Sequence, residues 1–166
     1  MILAIDPGLR GCGVAYFGDA ADGHPPELVF ATWVKNPCES GRGPEAWKDM
    51  AHAVMIHPYF SSVDEMAVEL PQVYPGMPKT DVNDLLDLAG VLGAITGSST
   101  ATVKHFFPAD WKAQVPKKIM NERVKGFLSM FEKSRIVSVG ALDHNTYDGI
   151  GIGLFYLKRM KRGGAK

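Results

Sequence analysis

The sequence of 166 residues is long enough for one domain with a sizeable core, and its 46% hydrophobic and 22% charged residues are typical of a soluble globular protein. It shows neither a signal-peptide pattern nor an apolar run of roughly 20 residues, so we expect a cytoplasmic protein with no membrane partner. The two cysteines, Cys12 and Cys38, lack metal-ligand spacing and are predicted to be reduced thiols.

The formal net charge is zero, but the charges are distributed unevenly along the chain. Residues 1–103 carry 5 Lys or Arg and 13 Asp or Glu, whereas residues 104–166 carry 13 Lys or Arg and 5 Asp or Glu. This asymmetry indicates a polyanion-binding surface in the C-terminal part. A coincidence of solvated helix faces is the alternative.

The first predicted element is a buried strand that ends in an acid. Four apolar residues, Ile2 to Ile5, run without a break into Asp6 and then into the turn signal Pro7-Gly8. A buried carboxylate is costly unless it is paired or binds a cation, which makes Asp6 a candidate site residue. A turn Asp before Pro-Gly is the alternative. Two more strands, over residues 9–17 and 28–34, predict an antiparallel meander.

A helix over residues 44–59 is followed by a fourth strand that also ends in an acid. This strand covers residues 64–70, carries Glu69 near its end and stops at Pro71. Two separate strands therefore each end in a carboxylate. Sites tend to gather where the strands of open sheets end, so we expect Asp6 and Glu69 to lie together.

The second half of the chain predicts two helices and a fifth strand before the last helix. A helix follows Thr80 and reaches Gly97, and a strand covers residues 101–107. Pro116 opens a helix whose apolar positions, from Ile119 to Phe131, are expected to face inward. Trp111 lies in a loop or short helical turn between this strand and this helix, and it is predicted to be a core anchor instead of a residue that stacks on bases.

The last predicted helix covers residues 144–161 and carries a third acid. His144 and Asp148 are four residues apart, so they share one helix face, and Asn145 lies beside them. Asp143 is predicted to be the helix N-cap. The complete order of elements is βββαβαβαα.

Convergent oxygen ligands at these strand and helix ends suit Mg²⁺ or Mn²⁺. Two such ions about 3.5–4 Å apart can activate a water and stabilise the leaving 3′-oxygen in phosphodiester hydrolysis. Asp6 is the candidate bridging ligand, and Glu69 and Asp148 complete the site. His144 is either a fourth ligand or a residue that positions the water.

Three segments resemble the RuvC-type Holliday junction resolvases of the RNase H-like superfamily. The opening ILAIDPGLRGCGVA is similar to the family's first strand, Asp-Pro-Gly turn and Gly-rich second strand. The segment AVELPQVYPG is similar to its strand ending in Glu, and DHNTYDGIGIGLFYLK is similar to its final helix. The match spans nearly the whole chain in order and spacing. Residues 108–118 look most like the bacteriophage branch of the family.

The resemblance implies an α/β protein with the RNase H-like fold, a five-stranded mixed sheet with helices on both faces. Residues 1–162 are expected to form a single nuclease domain, and residues 163–166 a short flexible basic tail. The implied activity is that of a metal-dependent, structure-selective endonuclease, acting as a homodimer. It would resolve four-way DNA junctions by paired phosphodiester hydrolysis in a bacterial or phage-infected cytoplasm.

By the same resemblance, Asp6, Glu69 and Asp148 bind the metal. The family usually has a further acid or a His three residues before the last Asp, where this sequence has Asn145. We favour His144 as the fourth ligand, and Asp143 and Asn145 are the alternatives. For DNA binding, the family's pattern implies that Tyr74 stacks on bases at the crossover. It also implies that three lysines lie near the scissile phosphate: Lys112, Lys117 and Lys118.

Other functions remain open at this point. An RNase H-type enzyme acting on RNA–DNA hybrids, or a debranching nuclease, would keep the chemistry and change the substrate. A fragment of a sugar-kinase or actin-like ATPase is disfavoured because the chain lacks a second phosphate loop. A catalytically inactive junction-binding protein is the last alternative, and Asn145 is the reason to consider it.

Overall fold

The computed structural model describes residues 1–19, 25–72 and 81–164 of the chain. Within these ranges, the elements follow the predicted order βββαβαβ, but four helices follow β5 where two were predicted. Short 3₁₀ turns lie at Phe60–Ser62, Gly140–Leu142 and Arg162–Gly164. The strands and helices are β1 (Ile2–Asp6), β2 (Gly11–Phe17), β3 (Leu28–Lys35), α1 (Gly43–Met55), β4 (Glu65–Glu69), α2 (Val82–Gly97), β5 (Thr102–Phe106), α3 (Pro108–Trp111), α4 (Lys117–Phe127), α5 (Met130–Lys133) and α6 (Asp143–Tyr156).

The strands form one mixed sheet in the order β3-β2-β1-β4-β5. The first three strands pair antiparallel, and β4 and β5 add to the edge of β1 in parallel. Helices α1 and α2 cover one face, and α3, α4 and α6 cover the other. The predicted α/β architecture, a five-stranded mixed sheet with helices on both faces, is confirmed.

Two separate hydrophobic cores lie on the two faces of the sheet, and alternate residues of β1 contribute to each. Ile2 and Ala4 belong to the core beneath α6, whereas Leu3 and Ile5 belong to the core beneath α1 and α2. All four are buried, as the unbroken apolar run predicted. Because side chains alternate along a strand, Asp6 points to the same face as Ile2 and Ala4, which is the face covered by α6.

Helix α6 lies unusually close to the sheet because glycines face each other across the contact. A Cβ atom built on Gly13 in β2 would collide with the backbone carbonyl of Asn145 in α6. A Cβ atom on Gly149 in α6 would lie 2.8 Å from the carbonyl oxygen of Gly13. The glycines therefore allow α6 to pack closely on the sheet, and this contact sets the depth at which α6 holds its side chains.

The helix predicted from Pro116 through Phe131 is divided into α4 and α5, so this prediction was wrong. Ser129 ends the apolar run and caps α5, with its hydroxyl accepting from Glu132 N at 3.1 Å and Glu132 Oε2 accepting from Ser129 N at 2.9 Å. Ile119 in α4 and Phe131 in α5 are 48% and 57% exposed instead of facing inward, whereas Met120 and Val124 are the buried residues of α4.

A buried ion pair explains why the chain turns at Ser129. The Glu132 carboxylate accepts from the backbone N–H of Leu28 in β3 at 3.0 Å, and Arg159 binds its two oxygens at 2.6 and 2.9 Å. Burial alone raises the pKa of Glu132, but the hydrogen bonds from Arg159, Leu28 and Ser129 lower it to about 2. The group therefore stays ionised and ties α5 and the C-terminal segment to the sheet edge.

Two predicted helix ends also differ from the structure. Helix α1 ends at Met55 instead of residue 59, and the chain continues into a 3₁₀ turn. Helix α6 ends at Tyr156 instead of residue 161, because Lys158 has a φ of 57°, which a right-handed helix cannot contain.

The C-terminal segment folds back onto the domain. Arg123 of α4 donates a hydrogen bond to the carbonyl of Gly163, within the turn Arg162–Gly164. The predicted start of the tail at residue 163 falls in this turn, and residues 165–166 lie outside the described residues. None of the helices in the described ranges is both long enough and apolar enough to span a membrane.

Replacing Gly13 by alanine is expected to lower the free energy of unfolding by about 1–3 kcal/mol, because the new methyl group forces β2 and α6 apart. Gly126→Ala is the matched control, since a Cβ at Gly126 in α4 meets nothing within 4 Å. That variant should be at least as stable as the parent. Urea unfolding followed by circular dichroism measures all three proteins. Equal stability of Gly13→Ala and the parent would contradict the close backbone contact.

Candidate active site

The two strand-end acids lie side by side on the face covered by α6. Strands β1 and β4 are parallel with Ile5 opposite Val68, so the next pair in the same register is Asp6 and Glu69. Neighbouring strands lie about 4.8 Å apart. Helix α6 adds Asp148, which is 3% exposed. The structure thus brings together the three predicted acids from three different elements.

The electrostatics of Asp6 show that the three acids share one environment. Burial raises the pKa of Asp6 well above its usual value, and the negative charges of Asp148 and Glu69 raise it further. The ammonium groups of Lys112 and Lys117 act in the opposite direction. Glu69 and Asp148 each have a lysine partner, whereas no ion pair of Asp6 is found among the described residues.

Two lysines from the basic half of the chain pair with the other two acids. Lys112 Nζ lies 3.2 Å from Glu69 Oε2 and 3.3 Å from Oε1. Lys117 Nζ lies 2.8 Å from Asp148 Oδ2 and 3.2 Å from Asn145 Oδ1. Burial lowers the pKa of Lys112, but its attraction to Glu69 and the other acids raises it overall. Both lysines therefore lie beside the carboxylates.

Trp111 also belongs to this site, which its predicted role as a core anchor did not include. Its ring is fully buried, as predicted, and packs so closely on α6 that a Cβ at Gly151 would lie 2.5 Å from it. Its indole Nε1 donates to Glu69 Oε2 at 2.6 Å. The sequence signal that could have found this contact is that a buried Trp needs a partner for its N–H.

The three candidates for the fourth ligand occupy different positions. Asn145 lies beside Asp148, because Lys117 contacts both side chains. His144 lies at the start of the helix with Nδ1 2.9 Å from the carbonyl oxygen of Ala141, and no contact of its ring with the three acids is found among the described residues.

Asp143 is not the N-cap of α6, so that prediction was wrong. The helix begins at Asp143 itself, and its carboxylate accepts from the Ser138 hydroxyl and from Val139 N, both at 2.6 Å. The side chain therefore closes the turn that precedes the helix and is directed away from the three acids.

A cavity of about 490 Å³ opens beside these groups and is lined by Lys112, Lys117 and Asp148 together with residues of the loop between α3 and α4. Lys118 is exposed, and in the described ranges it makes no ion pair with the three acids. Tyr74 lies outside the described residues. The cavity is large enough for a substrate group to reach the carboxylates.

The donor set fits a hard divalent cation in its chemistry. Mg²⁺ and Mn²⁺ prefer oxygen ligands, which Asp6, Glu69 and Asp148 supply. In the parts of the chain that the structure describes, no three His, Cys, Asp or Glu side chains are arranged to surround one ion. Lys112 and Lys117 provide the positive charge instead. A bound cation would offset the unfavourable burial of Asp6 between two further acids.

Neither a protein-family model nor a curated protein matches the sequence. Solved structures do match. Thermus thermophilus RuvC in complex with a Holliday junction substrate has a TM-score of 0.66 at 19% identity and covers 95% of this chain and 94% of that chain. The yeast mitochondrial Holliday junction resolvase Ydc2 has a TM-score of 0.60 at 9% identity, covering 95% and 79%. The fowlpox virus Holliday junction resolvase has a TM-score of 0.60 at 12% identity, covering 96% and 99%.

At these identities the matches establish the fold. The chain has the RNase H-like fold of RuvC and of other resolvases, which confirms the predicted fold. The first match covers nearly the full length of both chains, so the shared architecture includes both faces of the sheet.

Trp111→Phe is expected to raise the pKa of Glu69, because the indole N–H is one of the donors that lower it. The variant should also lose about 1–3 kcal/mol of stability, since a buried carboxylate loses a hydrogen bond. NMR titration of the glutamate side-chain carboxyl carbons measures the pKa.

Trp47→Phe is the matched control, since the Trp47 indole donates to Asp87 at 2.8 Å on the opposite face of the sheet. It should lower stability similarly and leave the Glu69 titration unchanged. The same Glu69 pKa in the parent and in Trp111→Phe would show that the indole does not act on this carboxylate.

Proposed function

We propose that the chain is a metal-dependent, structure-selective endonuclease that resolves four-way DNA junctions by paired phosphodiester hydrolysis. One observation carries the proposal: Asp6, Glu69 and Asp148 converge on one face of an RNase H-like sheet, beside a cavity that contains two lysines. The fold is shared with resolvases, one of which was solved with a Holliday junction substrate. The membership in a bacteriophage branch and the cytoplasmic location stay predictions.

The proposed cofactor is Mg²⁺ or Mn²⁺, with two ions per site held by Asp6, Glu69 and Asp148. Such ions, when bound, supply an activated water and stabilise the leaving 3′-oxygen of a phosphodiester. The chain's own residues prepare the site: Trp111 orients Glu69, and the glycine contact of α6 sets the depth of Asp148.

The role of His144 as the fourth ligand stays a prediction. If its Nδ1 donates to the Ala141 carbonyl, its Nε2 is left as the nitrogen that can bind a metal. Asn145 is the alternative, because its amide oxygen already lies within reach of the same ammonium group as Asp148.

For DNA binding we propose that Lys112 and Lys117 meet the phosphate nearest the carboxylates. Both line the cavity and both carry their charge into an otherwise acidic site. Lys118, which is exposed next to Lys117, would meet a phosphate further along the backbone. The stacking role proposed for Tyr74 rests on the resemblance alone.

The decisive experiment is a cleavage assay with an end-labelled four-way junction, a linear duplex and an RNA–DNA hybrid, each with Mg²⁺ and with EDTA. We expect paired nicks at the crossover of the junction, and loss of cleavage in EDTA. Asp6→Asn should lower the cleavage rate at least 10²-fold while junction binding persists, because a carboxylate ligand is lost but the fold is kept.

Asp49→Asn is the matched control, since Asp49 lies on α1 across the sheet from the carboxylates, and it should cleave like the parent. Cleavage of the hybrid in preference to the junction would replace the proposal by an RNase H-type function. Junction binding without any cleavage, in every metal tested, would leave only a DNA-binding role.

We further propose a homodimer formed through α2. The small residues of this helix fall into two sets. Gly90 packs against Trp47 of α1 within the same chain. Next to it, the side of the helix that faces away from the buried residues presents an exposed stripe of Val82, Leu86 and Gly93, with Val82 and Leu86 65% and 62% exposed. An unpartnered apolar stripe with an open glycine suits a second copy of the helix.

Leu86→Glu is expected to convert a dimer into a monomer, because the charge would be buried at the interface. Sedimentation velocity at micromolar concentration distinguishes the two. Met130→Glu is the control, since Met130 is 81% exposed on α5 and far from α2 in the fold. A monomeric parent protein would contradict the proposed dimer without affecting the proposed chemistry.

A further inference from the structure

A second cavity, of about 560 Å³, lies on the α6 face with a floor of aromatic rings. Phe106 comes from the end of β5, and Phe155 and Tyr156 come from the end of α6. Phe106 meets Phe155 edge to face at 5.3 Å between ring centroids and lies 6.2 Å from Tyr156. The Tyr156 hydroxyl donates to the Glu65 carboxylate, which holds its ring in place. The rings therefore form a fixed apolar surface that remains half-exposed.

The rim of this cavity is cationic and consists of Lys158, Lys161 and Arg162. The left-handed turn at Lys158 brings these residues back over the end of α6. Their neighbour Arg159 points inward to Glu132. Within the described ranges, no carboxylate pairs with any of the three rim residues, and all three are exposed. The rim therefore carries three charges that are available to an anion.

The cavity is separate from the carboxylates but adjoins their cavity. Asp148 and Tyr156 are eight residues apart on α6, which corresponds to about 12 Å along a helix. The turn Arg162–Gly164 separates the two openings, and a Cβ built on Gly163 would lie 3.8 Å from Val115, which lines the first cavity. A flexible polymer that leaves the carboxylates can therefore pass over this turn and reach the aromatic floor.

A rim and a floor of this kind fit one class of ligand. Cations alone would suit any phosphate, and aromatic rings alone would suit any apolar group. A nucleotide combines both, because its base stacks on aromatic rings while its phosphate meets Lys or Arg. A duplex hides the faces of its bases in the stack, so a duplex would leave the floor uncovered.

We propose that this cavity binds an unpaired, single-stranded DNA segment, with a base on the floor of Phe106, Phe155 and Tyr156 and phosphates on the rim. The ligand class rests on the proposed action on four-way junctions: their arms are base-paired, so the segment bound here would be one whose bases open at the crossover. The cavity thus favours substrates in which an unpaired strand lies close to the cutting site, and it binds that strand beside the carboxylate site, not within it.

The test measures binding of a fluorescent oligothymidylate that carries one 2-aminopurine, in the Asp6→Asn background so that nothing is cut. The double variant Lys161→Ala/Arg162→Ala is expected to bind about tenfold more weakly. The slope of log affinity against log salt should fall by about 1.4 in magnitude, since each contact to a single-strand phosphate contributes about 0.7. Lys35→Ala/Lys48→Ala removes two exposed lysines elsewhere and should change neither quantity.

The floor is tested by changing the ligand, which leaves the fold intact. An oligonucleotide with abasic sites should bind about tenfold more weakly than the parent oligonucleotide, and 2-aminopurine fluorescence should be quenched on binding because its base stacks on a ring. The proposal would be overturned if the abasic oligonucleotide or a duplex bound as tightly as the parent oligonucleotide. It would also be overturned if Lys161→Ala/Arg162→Ala and Lys35→Ala/Lys48→Ala lost the same affinity. If the parent protein cleaves the junction and any of these results is found, the cavity proposal alone is rejected. Rim-dependent binding of unpaired DNA without junction cleavage would reject only the proposed resolvase function.

Discussion

A carboxylate at the end of a strand buried on both faces is the constraint on which the rest of this structure depends. The pKa of Asp6 is raised because partial burial disfavours its ionised form and because Asp148 and Glu69 lie nearby. Burying ionised groups costs several kcal/mol each unless positive charge compensates. Lys112 and Lys117 supply that charge, and both come from the basic half of the chain. The uneven distribution of charge along the sequence therefore reflects, in part, the folding of a basic segment onto an acidic one.

The depth of the site follows from backbone contacts and not from the acids themselves. Asp148 meets the strand-end acids because Gly13 and Gly149 allow α6 to approach β2 until the backbones touch. Trp111 then fills the space beside the helix at Gly151 and turns its N–H toward Glu69. One set of small residues thus determines both the packing of the core and the distance between acids that are far apart in sequence. A side chain added at this contact would change the site without altering any of its charged groups.

The strands and their acids could be predicted because the signals are local. An unbroken apolar run ending in Asp6 or Glu69 needs only its own neighbours to be recognised, and alternation along each strand gives the direction of the side chain. The partners of Trp111 and Asn145 could not be predicted, because Glu69 and Lys117 are brought to them from other elements of the fold. The helix break at Ser129 was missed for the same reason, since the partner of its capping Glu is distant in sequence.

The balance of charge in the site shows why the lysines alone are insufficient for a phosphodiester substrate. If fully ionised, the acids Asp6, Glu69 and Asp148 outnumber the ammonium groups of Lys112 and Lys117 by one. An approaching phosphate adds another negative charge, and two like charges 4 Å apart repel by about 4 kcal/mol at an effective dielectric constant of 20. The lysines cannot neutralise the carboxylates and the phosphate at once. A divalent cation among the carboxylates would reverse the sign of the site and leave the ammonium groups to the phosphate. Each lysine would therefore pair with a carboxylate while the site holds no cation, and with the phosphate once a cation and the substrate are bound.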